Sequence, residues 1–147
     1  MDTGNDNRNN VCVAVIDDNA RLRQMPVKQL ENSGYTVLFD TGNGEDALQK
    51  LQKNERLPDV CLVEEDFVSA KILLEKYPDL KILIVSTSDN EEHVTDMLKT
   101  GVSGYVLKYA DPDEMLAAVK ALSENKKYFS VGVSGIATEY FKNQPQS

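Results

Sequence analysis

Histidine is nearly absent from the 147 residues, His93 standing alone, and cysteine occurs only as Cys12 and Cys61. A zinc site needs several such ligands at short spacing, which two distant thiols and one imidazole do not provide. Both cysteines sit inside apolar runs, so they read as reduced, buried thiols rather than as a disulfide framework. Long hydrophobic runs are also missing. The longest are Val11–Ile16 and Ile82–Val85, far below the roughly 20 residues of a membrane-crossing helix. The first ten residues, MDTGNDNRNN, hold no apolar stretch and do not read as a secretory signal. Positive charge is scarce: 16 Lys and Arg against 24 Asp and Glu leave a formal net charge of −8. That balance repels nucleic-acid phosphates and anionic membranes over most approaches. The chain is therefore expected in the cytoplasm, with no membrane contact and no direct DNA binding by this segment.

What is present is the length of one domain and a globular composition, 41% hydrophobic and 27% charged. Residues 1–10 read as a disordered tail, 11–130 as the domain, and 131–147 as a linker or C-terminal tail. Inside the domain, β-branched runs alternate with amphipathic stretches. Strands are expected at Val11–Ile16, Tyr35–Phe39, Val60–Val63, Lys81–Val85 and Gly104–Leu107. Helices are expected at Ala20–Glu31, Gly44–Lys53, Val68–Lys76, Glu91–Thr100 and Pro112–Ser123, with Pro26 kinking or shortening the first. The strands are almost continuously apolar, as strands are when helices cover both faces of a parallel sheet. Five such units make a doubly wound α/β domain with a five-stranded parallel sheet.

Ligands of such sheets bind at the carboxyl ends of the strands. The first strand ends in Asp17 and Asp18, the third in Glu64, Glu65 and Asp66, the fourth in Ser86, Thr87 and Ser88, and the fifth in Lys108. Carboxylates gathered there repel one another by about 4 kcal/mol per pair at 4 Å and an effective dielectric of 20. A divalent cation, the lysine ammonium or a raised pKa has to compensate. Oxygen ligands of this kind suit magnesium, and a carboxylate beside magnesium, a lysine and a hydroxyl is machinery for an acyl phosphate.

The segments VIDDN, PDVCLVE, LKILIVSTSDNEEHV and GVSGYVLKYADPDE resemble the receiver domain of two-component response regulators, and the resemblance spans Val11 to about Phe129. GYVLK and KKYFS look most like receivers that precede a LuxR-type helix-turn-helix. The resemblance implies a flavodoxin-like sheet of order 2-1-3-4-5. It places Asp17 and Asp18 on the magnesium-binding acidic pair, with Asp66 offering a backbone carbonyl to the metal. Ser86 falls on the hydroxyl switch, Tyr105 on the aromatic rotamer switch and Lys108 on the phosphoryl-contacting lysine. It further implies a switch in which phosphorylation draws the hydroxyl in and lets the aromatic turn inward, reshaping the surface of the fourth helix, fifth strand and fifth helix.

Two departures stand out. Glu64 occupies the phosphoacceptor aspartate position, and the loop from there to the third helix is shortened to EEDFVSA. Glutamate moves the carboxylate by one C–C bond, roughly 1.5 Å, and a misplacement near 1 Å costs on the order of a hundredfold in a positioned reaction. The expectation is an atypical receiver, not an enzyme, signalling without aspartyl phosphorylation through protein contacts of that surface. Magnesium would bind weakly and no organic cofactor is expected. The expected partner is a second copy, an output domain outside this chain, or a sensor kinase. No helix-turn-helix fits after Ser130. One alternative keeps phosphotransfer with Glu64 or Asp66 as acceptor. Another, of a different class, is a flavodoxin-like cofactor binder or a phosphatase.

Overall fold

The computed structural model describes residues 11–53, 56–108 and 111–144; the expected tail at 1–10 lies outside them. The elements are β1 (Cys12–Ile16), α1 (Ala20–Asn32), β2 (Thr36–Thr41), α2 (Gly44–Lys53), β3 (Val60–Glu64) and α3 (Phe67–Lys76). They continue with β4 (Ile82–Ser86), α4 (Glu91–Thr100), β5 (Gly104–Leu107), α5 (Pro112–Ser123), β6 (Tyr128–Phe129) and α6 (Val131–Lys142). The strands pair in parallel, in the order β2-β1-β3-β4-β5-β6. The chain is thus the expected doubly wound α/β sheet, extended at one edge by a short sixth strand.

Side chains alternate across this sheet because successive Cβ atoms of a strand point to opposite faces. Val13, Val15, Val60, Leu62, Leu83, Val85 and Val106 pack under α1 and α5, with Val27, Leu30, Val119 and Leu122. Ala14, Ile16, Cys61, Val63, Ile82, Ile84 and Tyr105 face the other layer, where α2, α3, α4 and α6 bring Leu51, Leu73, Met97 and Val133. Both faces are covered, which explains the continuous apolar runs.

Pro26 does not break α1, which runs through it; Asn19 caps the helix by accepting from Leu22 N. Asp111 caps α5 by accepting from Asp113 N. The segment expected as linker or tail carries α6, with Val133 and Ala137 buried. The connection is held by Glu114 of α5, which accepts from the Ser130 hydroxyl (2.7 Å) and the Tyr128 hydroxyl (3.1 Å). Gly104 lets β6 approach, since a Cβ there would meet Tyr128 O at 2.9 Å.

Candidate functional site

β1 and β3 are adjacent although β2 follows β1 in sequence, so the chain reverses direction across the sheet at this point, and both strands deliver acids to it. Asp17 is 5% exposed. Its Oδ1 accepts from Asn19 N at 2.9 Å and its carbonyl accepts from Arg23 Nη1 at 2.8 Å. Asp18 is exposed. Asp17 Oδ2 is buried with no conventional hydrogen-bond partner. Glu64 faces it. Burial first, and then the hydrogen bond to the Asp17 carboxyl, push the Glu64 carboxyl up to about 7 against the opposing pull of Lys108. A proton held by Glu64 gives this pair the donor that two carboxylates lack.

Lys108, at the end of β5, lies 3.5 Å from Glu64 Oε2 and 3.2 Å from Glu65 Oε2. Burial alone would lower the Lys108 pKa, but the two glutamates outweigh it and raise it. Glu65 adopts a left-handed backbone, φ +48°, and its Oε1 accepts from the Thr87 amide (2.9 Å) and the Thr87 hydroxyl (2.6 Å). Those two bonds lead the causes that hold the Glu65 carboxyl down near 2, Lys108 adding to them. Of the three compensations open to a carboxylate cluster, this site uses the lysine and the raised pKa.

Ser86 ends β4, buried, and its Oγ accepts from Ser88 N at 3.0 Å. Tyr105 is fully buried and donates its hydroxyl to the Ser88 carbonyl at 2.6 Å. The ring of Phe67, the first residue of α3, lies 6.5 Å from Tyr105 and 5.8 Å from His93. His93 Nδ1 is in turn 3.0 Å from Ser88 Oγ. The short loop therefore seats α3 directly against the turn that follows β4.

Asp66 is the N-cap of α3 and does not serve the site as the resemblance implies. Its side chain accepts from Ser69 N at 2.9 Å and from the Ser69 hydroxyl, and its carbonyl accepts from Ala70 N at 3.2 Å. That carbonyl points into the helix because an N-cap C=O already makes the first intrahelical bond. Ser69 Oγ also accepts from Gly44 N at 2.7 Å, tying α3 to the start of α2. A Cβ on Gly44 would come within 2.9 Å of Ser69, so only glycine admits the contact. Among the described residues no group of three or more His, Cys, Asp or Glu has the geometry to hold a metal ion. With Asp66 committed to α3, Asp18 in solvent and Lys108 on Glu64, the described residues hold no preformed magnesium site.

The family model of the response regulator receiver domain matches residues 13–120. The chain belongs to that family. Among curated relatives, this receiver is 33% identical over 129 residues to the transcriptional regulatory protein DegU of Brevibacillus brevis, covering 83% of this chain and 54% of that protein. It is 28% identical to the oxygen regulatory protein NreC of Staphylococcus epidermidis, covering 92% of this chain and 65% of that one. The receiver thus spans between about half and two thirds of the length of these relatives. A solved two-component response regulator of the LuxR family from Aurantimonas sp. superposes with a TM-score of 0.78 at 20% identity, covering 88% of this chain and 97% of the other. The isolated REC domain of RcsB from Salmonella enterica serovar Typhimurium superposes with a TM-score of 0.74, also at 20% identity, covering 86% and 97%. At that identity the superpositions speak for the fold alone, and they establish the flavodoxin-like receiver architecture independently of the sequence pattern. The family indicates no organic cofactor, and its members are response regulators rather than enzymes.

Of the residues singled out in this receiver, the fold gathers Asp17, Glu64 and Lys108 in one contact set and Ser86 with Tyr105 in a second beside it. Asp18 stays at the rim and Asp66 is spent on α3. Sequence reasoning named Glu65 and Thr87 only as strand-end residues without a role, and it passed over Phe67. The acidic run EED carried a hint of the first, but only the positive φ turns its side chain toward Lys108.

Proposed function

We propose that this receiver works in two-component signal transduction without aspartyl phosphorylation, through protein–protein contacts. The observation that carries the reading is the Glu64–Lys108 pair at 3.5 Å with Tyr105 fully buried. An acid one carbon longer than aspartate reaches the lysine unaided, and the aromatic already sits inward, the state that phosphorylation brings about in the family. Phosphotransfer to Asp66 is disfavoured because its carboxylate caps α3. Among the described residues, Glu64 remains the acidic side chain best placed to accept a phosphoryl group.

The names of the relatives favour an output in transcription. The reading therefore pairs this receiver with a second copy or with a LuxR-type output domain outside the described chain, in the cytoplasm. The expected contact surface of α4, β5 and α5 is partly overlaid here: β6 pairs with β5, and α6 buries Val133 and Ala137 against the layer containing α4. A partner at that surface meets α6 and β6 first. Magnesium would have to displace both the Lys108 ammonium and the Glu64 proton, which makes its binding weak.

Intact mass after incubation with acetyl phosphate and magnesium tests the reading, with Glu64→Asp alongside. The expected result is no adduct on the parent protein and an adduct on Glu64→Asp. An adduct on the parent overturns the reading and restores Glu64 as acceptor.

A further inference from the structure

Three donors converge on one side chain at the carboxyl edge of β4 and β5. Lys108 Nζ lies 3.2 Å from Glu65 Oε2, while the Thr87 amide and hydroxyl lie 2.9 and 2.6 Å from Oε1. An ammonium, a backbone N–H and a hydroxyl converging on one carboxylate are what an oxyanion needs, whether a carboxylate or a tetrahedral phosphoryl-type group. Hydrophobic burial does not explain why the Glu65 side chain is there, since it is 40% exposed. The backbone does not favour it either. A φ of +48° is disfavoured for a residue with a Cβ, and such strain persists where surrounding contacts impose it. The imposing contacts are these donors, which also hold the carboxyl down near 2 and so keep it anionic.

We propose that Glu65 is a resident ligand of this receiver: its carboxylate fills an oxyanion site built by Lys108 and Thr87, and its removal opens that site to a free tetrahedral anion. This deepens the phosphorylation-independent reading and rests on it, because a site filled by the chain itself has no need of a transferred phosphoryl group. The two acids divide the work. Glu64 pairs with Asp17 and the lysine, while Glu65 spans the lysine and Thr87 in the turn after β4.

The test is a titration with inorganic phosphate, at constant ionic strength set with chloride, following the Thr87 amide by 15N-resolved NMR. The parent protein is compared with Glu65→Gly, which relieves the positive φ, and with Glu65→Asn, a residue that tolerates it. The expected result is a saturable Thr87 shift in both variants, at least tenfold tighter than in the parent, and lost on adding Lys108→Ala. Equal phosphate response in the parent and the variants overturns the proposal, as does no response in either folded variant. The acetyl phosphate experiment reads a covalent adduct and is separate. An adduct on the parent overturns the function proposed above, whereas silent variants beside an adduct-free parent overturn only the role of Glu65.

Discussion

Glu64 is held between an acid that keeps its proton on and a base that draws it off. Its carboxyl sits near 7 in the folded protein, raised by burial and by Asp17 over the opposition of Lys108, whereas in an unfolded chain it returns to about 4.3. The folded state therefore binds the proton more tightly. The stabilising contribution of the protonated form is fully present below the unfolded value and is lost as pH rises through about 7. The effect amounts to a few kcal/mol at most, since a tenfold change in proton affinity is worth about 1.4 kcal/mol and the side chain retains some solvent contact. Replacing Glu64 with Gln keeps a donor for Asp17 and removes the titration. Urea unfolding at pH 5, 6, 7 and 8, with EDTA present, should show the parent losing stability across this range relative to Glu64→Gln. Parallel pH profiles for the two proteins would contradict the assignment. A glutamine that destabilises at pH 5 by more than about 1 kcal/mol would instead mean that the charged pair with Lys108 dominates even there.

Among the elements, β1 to β5 and α1 to α5 were legible because strands buried on both faces must be apolar throughout and helices between them must show a stripe. The strand-end rule then brought Asp17, Ser86 and Lys108 forward. The same rule named Glu65 at the strand end but could not give its direction. Neighbours along a strand point to opposite faces, so Glu65 should turn away from Glu64, and only a left-handed residue at the strand exit reverses this. Asp66 was assigned by register alone, and the shortened loop gives its groups to α3 instead. The edge elements β6 and α6 were illegible for another reason. VGVSGIATEYF has two glycines and several β-branched residues, a poor helix former by propensity. Its helix comes from tertiary packing, in which Val133 is fully buried and Ala137 nearly so. Val133→Ala should accordingly cost about 2 kcal/mol, the value of two buried methyl groups with some cavity penalty. Chemical denaturation checks it. A loss below about 0.5 kcal/mol would mean that α6 contributes no core.

At the scale of the whole molecule, the central strands are expected to be the last part of the sheet to open. β1 and β3 are flanked on both sides by other strands, and each carries one cysteine: Cys12, 4% exposed, and Cys61, fully buried. Burial pushes the Cys61 thiol up to about 12 and raises Cys12 as well, with Arg56 opposing and Asp59 adding to it. The thiolate is the species that attacks a disulfide reagent, so both positions are shielded twice, by access and by protonation. Neither should react with a disulfide reagent at pH 8 in the native protein, and both should react at once in concentrated guanidinium. Intermediate urea discriminates further. If Cys61 becomes accessible only through global opening, the logarithm of its labelling rate rises with urea at the slope of the global unfolding transition. A labelling rate independent of urea would reveal a local route to β3, and the sheet would then not behave as one cooperative unit. Cys12 lies at the start of β1, where its amide donates to Asp59 Oδ2 at 2.8 Å. Local fraying there would let it label faster than Cys61 at low urea while both converge on the global slope at high urea. That ordering follows from where the two thiols sit: Cys12 at the start of β1 beside Arg56 and Asp59, Cys61 inside β3 with burial alone acting on it.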